Sequence, residues 1–210
     1  MHFKNGVLSE FRKVRSSERL DLLCSLLDAC LPFELRFLGT CLEFLGKRDF
    51  NELREDERLA NNVNHISQFR SLSDENTRRK LVLYVSLLKS SNSDCVKYFS
   101  DILTGINMDD VGLAHGSLTN PSSLEALNKL MDELLLLYTI AVNHPAFTIH
   151  QKSKFAVILA QLQDEDRKLC GVERTENDSD VKYPDVSFAP NLFFFFPKHT
   201  IRSFNCALHS

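Results

Sequence analysis

From about residue 6 to residue 163, apolar side chains recur every three or four positions. No alternation of apolar and polar residues persists anywhere in that stretch, so the chain reads as helix after helix. A first short helix is predicted from Val7 to Val14. Ser17 is placed to cap the next, whose Leu20, Leu23, Cys24, Leu27 and Cys30 form one stripe expected to be buried. Pro32 suits the first turn of a third helix, where its missing N–H has no acceptor to lose. That helix is expected to end near Gly46, burying Leu35, Leu38, Leu42 and Leu45. Asp49 then reads as the cap of a fourth, rich in opposite charges three and four residues apart, breaking at Asn61-Asn62.

A short helix to Phe69 is expected next, followed by one opened by Ser73, Asp74 and Glu75, with carboxylates at its positive end, running to about Lys89. Ser93 opens another to Leu103. Residues 105–123 hold Gly112, Gly116 and Asn120-Pro121 and are expected to be the longest connection. Pro121 starts a long apolar helix through Ala141. The sequence Thr148-Ile-His-Gln151 matches a capping box and launches the last helix, to about Gln163. Helices of these lengths on short polar turns predict an all-α, irregular stack of antiparallel pairs. No motif repeats at fixed spacing, so a regular solenoid is not predicted.

The pattern ends after Arg167. Residues 173–185 are polar and acidic, and Val186-Ser-Phe-Ala-Pro-Asn-Leu-Phe-Phe-Phe-Phe-Pro has neither helical nor strand period. The expected organisation is one helical interaction domain, residues 6–166, and a poorly ordered tail, residues 167–210. The change of character after Asp166 points to an alternative or truncated carboxy terminus. Phe193 to Phe196 are too few to span a bilayer.

Composition fits an ordinary globular domain: 210 residues, 43% hydrophobic and 25% charged. A formal charge of -3 argues against nucleic-acid binding by bulk positive charge and leaves local basic patches open. The amino terminus has no apolar stretch of signal-peptide length, and no later segment offers a membrane span. The expected location is the cytoplasm, with the nucleus as alternative, where Cys24, Cys30, Cys41, Cys95, Cys170 and Cys206 stay reduced and the sequon at Asn177 is silent.

A search for chemistry returns little. There is no P-loop, no Gly-x-Gly-x-x-Gly, no Gly-x-Ser-x-Gly, no His-Glu-x-x-His and no Cys-x-x-Cys. Cys24 and Cys30 stand about 240° apart around a helix and do not share a metal. No catalytic residue, metal or cofactor is expected. His144, in Asn143-His144-Pro145, ends a helix because the residue before proline is driven out of the α region. It is also a candidate contact residue, since imidazole both donates and accepts near neutral pH. Arg78, Arg79 and Lys80, with Arg70 and Lys89 nearby, form one basic concentration. Lys47, Arg48, Arg54 and Arg58 form another. Both are candidates for phosphate or partner contact, against the simpler reading of a solvated face balanced by neighbouring carboxylates.

Three blocks carry a family resemblance: Glu34-Leu-Arg-Phe-Leu-Gly-Thr-Cys-Leu-Glu43, then Arg48-Asp-Phe-Asn-Glu-Leu-Arg-Glu-Asp-Glu-Arg-Leu-Ala-Asn-Asn62, then Ala141-Val-Asn-His-Pro-Ala-Phe-Thr-Ile-His-Gln-Lys152. In order and spacing they resemble the N-terminal helical region of the Smaug family, nearest to its relatives with a CCHC zinc knuckle. The resemblance implies a pseudo-HEAT fold and a role beside RNA-binding SAM domains in post-transcriptional regulation. The partners it implies are deadenylation and repression factors or non-canonical poly(A) polymerases. The chain itself has no recognisable SAM domain or knuckle, so a non-enzymatic adaptor with at most weak RNA contact is expected. The contrasting expectation is a generic helical scaffold in trafficking or cytoskeletal assembly, without an RNA role.

Overall fold

The computed structural model describes residues 2–69, 71–106 and 121–176, and among these every regular element is helical. In chain order they are α1 (His2–Lys13), α2 (Ser16–Asp28), α3 (Pro32–Ala60), α4 (Val63–Ile66), α5 (Glu75–Ser86), α6 (Ser93–Thr104), α7 (Pro121–Asn143) and α8 (Ile149–Glu176). The connection expected over 105–123 lies, for residues 107–120, outside the described residues. So do Arg70, the sequon, Cys206 and the Phe-rich segment.

From Asn61 onward the start signals act within a residue of where the sequence puts them, while α4 and α5 stop three residues short of the expected Phe69 and Lys89. Asp74 caps α5, its carboxylate accepting the Thr77 N–H at 2.7 Å, and Asn92 caps α6 through the Cys95 N–H. The α8 capping box forms as expected. Gln151 accepts the Thr148 N–H at 2.9 Å, and the Thr148 hydroxyl accepts the Gln151 N–H at 3.3 Å. At the end of α3 the Asn61 side chain accepts the Lys89 N–H and donates to the Leu87 carbonyl. The Asn92 amide in turn donates to the Asn61 carbonyl. One asparagine thus ends a helix and pins the α5–α6 turn to it.

Upstream, four expectations are corrected. α1 starts at His2 and ends at Lys13, earlier than predicted at both ends. Ser17 is not a cap: α2 begins at Ser16 behind Arg15, which supplies no side-chain cap, and Ser17 itself is buried. α3 passes straight through Gly46 and Asp49 to Ala60. An isolated helical glycine costs only about 1 kcal/mol relative to alanine, and no proline follows it. The Glu43–Lys47 ion pair, one turn apart, spans the expected stop at Gly46. The leucine stripes of α2 and α3 are largely exposed: Leu23 by 45%, Leu35 by 43%, Leu42 by 59%. At the other end, α8 continues from Gln163 to Glu176.

The core is confined to residues 60–162. α7 packs against α2, α5 and α8, while α4 and the end of α3 close one side and α6 lies against α4 and α8. Phe99, Leu103, Met131, Leu134, Leu137, Tyr138, Phe155 and Leu162 are fully enclosed. Each such side chain contributes roughly 1.5–3 kcal/mol by leaving water. The body is therefore the irregular pseudo-HEAT stack of antiparallel helices, with α2 packed along α7 and the front of α3 projecting as an arm.

Candidate functional site

The basic residues singled out from sequence divide by environment. Arg78 is reassigned: it is only 6% exposed, and its guanidinium is engaged inside the body. Nε meets Glu133 at 2.9 Å, and Nη1 donates to the carbonyls of Leu72 at 2.9 Å and Ser73 at 2.7 Å. Arg79, exposed, pairs with Glu75 and with the other oxygen of Glu133. Glu75 also takes Lys129 at 2.7 Å. Lys80 is exposed at the middle of the same helix. On α3, Arg58 is tied to Glu55 at 2.6 Å, and the Arg54 guanidinium lies 5.9 Å from the centre of the Phe50 ring. Lys89 meets Glu57 at 2.9 Å. A phosphate approaching Arg58, Arg79 or Lys89 must displace carboxylates already in place.

His144 sits somewhere more distinctive. α2 lies along α7, and between them runs a groove of about 400 Å³ whose walls include Leu20, Cys24, Leu136, Ile140, His144 and Pro145. The groove is almost wholly apolar apart from one end. There the His144 Nδ1 accepts the Ala146 N–H at 3.1 Å, which leaves the ring proton on Nε2. The ring packs edge-on against Phe147, 5.7 Å between centres. Burial pushes the His144 pKa below its ordinary value, and the nearby Lys152 ammonium acts in the same direction. Burial also lowers Lys152, against the pull of Asp28, and raises the thiol of Cys24, reinforced by Asp21 and Asp28. A neutral imidazole thus stands at the end of a greasy channel, with the partly buried Lys152 ammonium near it.

The histidine has a measurable consequence. Its folded-state pKa is depressed, so the stability it contributes is fully present above 6.5 and is lost as pH falls through the folded value. Protonation must also break the Nδ1 bond to Ala146. Wild type is expected to lose thermal stability between about pH 7 and pH 5 by a step that His144→Asn lacks. Parallel melting curves for the two proteins across that range would contradict this.

Sequence reasoning missed Arg15. Its guanidinium forms a fork on Asp166 at 2.5 and 3.0 Å and reaches Asp132 at 3.2 Å, fastening the start of α2 to α7 and α8. The hydrogen bond to Asp166 raises the arginine pKa further above its already high ordinary value. Nothing in Lys13-Val-Arg-Ser-Ser17 signals a partner over a hundred residues away. Among the described residues, no group of three His, Cys, Asp or Glu side chains could hold a metal ion. Nor is any helix among them long and apolar enough to cross a membrane.

Comparison with known proteins matches residues 53–167 to the model of the SMAUG-like PHAT domain. The chain belongs to the Smaug-like family. Residues 4–48 match a second model, the RNA-binding protein vts1-like domain, so the boundary between the two matches falls inside α3, where the arm leaves the body. Human Protein Smaug homolog 1 is 30% identical over 184 residues, covering 87% of this chain and 24% of that protein. Mouse Protein Smaug homolog 2 is 27% identical over 160 residues, covering 76% and 21%. The chain spans about a quarter of the length of the relatives it matches.

Proposed function

We infer that this chain is the protein-docking scaffold of a post-transcriptional regulator and holds an amphipathic segment of a partner in the α2–α7 groove. The observation that carries this reading is the groove itself: an open apolar channel between two helices, about 400 Å³, in a member of an RNA-regulatory family. Such channels accept one apolar face of a helix presented at positions three and four residues apart. Lys152 and His144 at its end favour an acidic residue on the occupant. The partners best suited are the deadenylation and repression factors, or the non-canonical poly(A) polymerases, that act on messenger RNA tails. Any RNA contact is auxiliary, through exposed cations such as Arg54 and Lys80, with Arg58 and Arg79 drawn from their carboxylates. The scaffold carries no reaction of its own.

Affinity purification from cell extract with the full chain and with Leu20→Asp tests the reading. The wild type is expected to retain poly(A)-polymerase, deadenylase or repression components, and Leu20→Asp to lose them with its unfolding transition unchanged. Recovery of only membrane or cytoskeletal proteins would favour the trafficking scaffold instead. Equal capture by the variant would remove the groove from the account.

A further inference from the structure

One wall of the groove is lightly held. Of the thirteen residues of α2 only Ser17 is buried, yet the helix lies along α7 and gives Ser16, Leu20 and Cys24 to the groove. An element that buries so little apolar area depends on its polar ties to stay in place. Arg15, the residue before the helix, is such a tie: its fork on Asp166 and its reach to Asp132 cross to α8 and α7. The Asp166 side chain is 14% exposed and that of Arg15 38%, so solvent reaches the clasp from the arginine side.

Beside the clasp stands a hydroxyl that takes no part in it. Ser16 is exposed, whereas Ser17 is covered. The Ser16 Oγ accepts a hydrogen bond from Arg19 Nη2 at 3.2 Å, and Ser16 lines a hollow of about 330 Å³ together with Arg15, Arg19, Asp132 and Glu133. Two guanidinium groups and two carboxylates thus surround one accessible alcohol. Arg12, Lys13 and Arg15 stand four, three and one residues ahead of it, a cationic run of the kind that serine kinases with acidic clefts select. Val14 and Arg15 lie outside any helix, and α1 makes no substantial packing contact with another helix. The segment leading to Ser16 can therefore be drawn into a kinase cleft without opening the core.

We propose that Ser16 is a phosphorylation site, and that its phosphoryl group takes Arg15 from Asp166 and Asp132 and so releases α2 from α7 and α8. The donor is a nucleoside triphosphate. The bond from Ser16 Oγ to the γ-phosphorus forms as the bond from that phosphorus to the β,γ-bridging oxygen breaks, the nucleoside diphosphate leaves, and the hydroxyl proton passes to the kinase's carboxylate base. A phosphate accepts the guanidinium fork as a carboxylate does, with roughly twice the charge and from the adjacent residue. Arg19, already bonded to the Ser16 oxygen, supplies a second cation. Asp132 and Asp166 then face the phosphate without the Arg15 guanidinium between them, and like charges repel. The groove loses the wall that carries Leu20 and Cys24. Phosphorylation thereby turns docking off, a consequence that rests on the groove being the docking site.

Phosphoserine installed at position 16 during synthesis of the full chain tests the switch with no partner present. Cys24 reports on the groove wall and Cys95, completely enclosed, on the core. Burial raises the Cys24 thiol pKa, so release increases both its access and its thiolate fraction. Alkylation by iodoacetamide, followed peptide by peptide by mass spectrometry, is expected to run about tenfold faster at Cys24 in the phosphoserine protein and unchanged at Cys95. Arg15→Gln without phosphate is expected to give the same acceleration, and phosphoserine should add nothing to it. An unchanged Cys24 rate overturns the proposal. So does an equal rise at Cys95, which is general unfolding, and so does a full effect of phosphoserine in Arg15→Gln, which takes the clasp out of the switch. The unmodified chain incubated with a basic-directed serine kinase and ATP is expected to gain phosphate on Ser16, and its absence there overturns the site. Capture from cell extract with both forms separates the switch from the docking reading: Cys24 released with capture undiminished supports the switch and removes the groove as the docking site.

Discussion

Arg78→Ala is expected to remove about 3–5 kcal/mol of unfolding free energy, the usual cost of taking one member out of a buried ion pair. The guanidinium is bonded on two sides at once, to Glu133 and to two main-chain carbonyls. Its removal leaves the carbonyls of Leu72 and Ser73 without this donor. It also leaves Glu133, only 12% exposed, dependent on Arg79 alone. Lysine should not restore the loss, because one ammonium lacks the planar fork that reaches both sets of acceptors. Arg79→Ala, at the same carboxylate but 53% exposed, is expected to cost well under ~1 kcal/mol. Urea unfolding of the three variants gives the ranking. An Arg78→Ala loss no larger than that of Arg79→Ala would show that the buried pair does not hold α5 to α7. Folded domains hold only about 5–15 kcal/mol in all, so the predicted loss is a large part of the total.

The second large effect lies under the groove. Phe155 is completely enclosed and makes edge-to-face contact with Phe147, 5.1 Å between centres at 83°, and with Tyr138 at 6.5 Å. Phe155→Ala is expected to cost about 3–5 kcal/mol, the transfer energy of the ring plus the cavity it leaves. Phe155→Leu, which keeps most of the volume, should cost about half as much or less. The damage should spread, because Phe147 packs on Phe155 from one side and on His144 from the other. Hydrogen exchange is expected to speed up in the turn from His144 to Thr148 along with the global loss. Protection of that turn unchanged in Phe155→Ala would mean that the histidine end of the groove is held independently of the core. Tyr138, whose hydroxyl donates to the Leu103 carbonyl at 2.7 Å and is kept protonated by burial, gives a smaller step on Tyr138→Phe, about 1–2 kcal/mol.

These two residues also measure how far sequence reading reaches. Arg78 stands in a run of three cations at a helix start, which reads as a surface patch. Its burial is decided by Glu133, 55 positions later, on a helix whose placement no local rule supplies. His144 was legible as a helix stop. The apolar channel beside it was not, because its walls come from α2, α5, α7 and a turn. Arg15 was invisible for the same reason, its carboxylate partners being 117 and 151 residues away.

The sequence by itself determined that the protein is helical, where α5, α6 and α8 begin, that α3 stops at Asn61, and, through three blocks of residues, its family. Such features depend on neighbours within four residues: a cap, a proline, a run of apolar positions at helical spacing. Only the tertiary structure decided which apolar faces find cover. Leu35 and Leu42 carry the same periodic signature as Leu134 and Leu137, yet the first pair stays exposed and the second is enclosed. Periodicity fixes where side chains stand around their own helix axis. Whether anything packs there depends on the path of the rest of the chain.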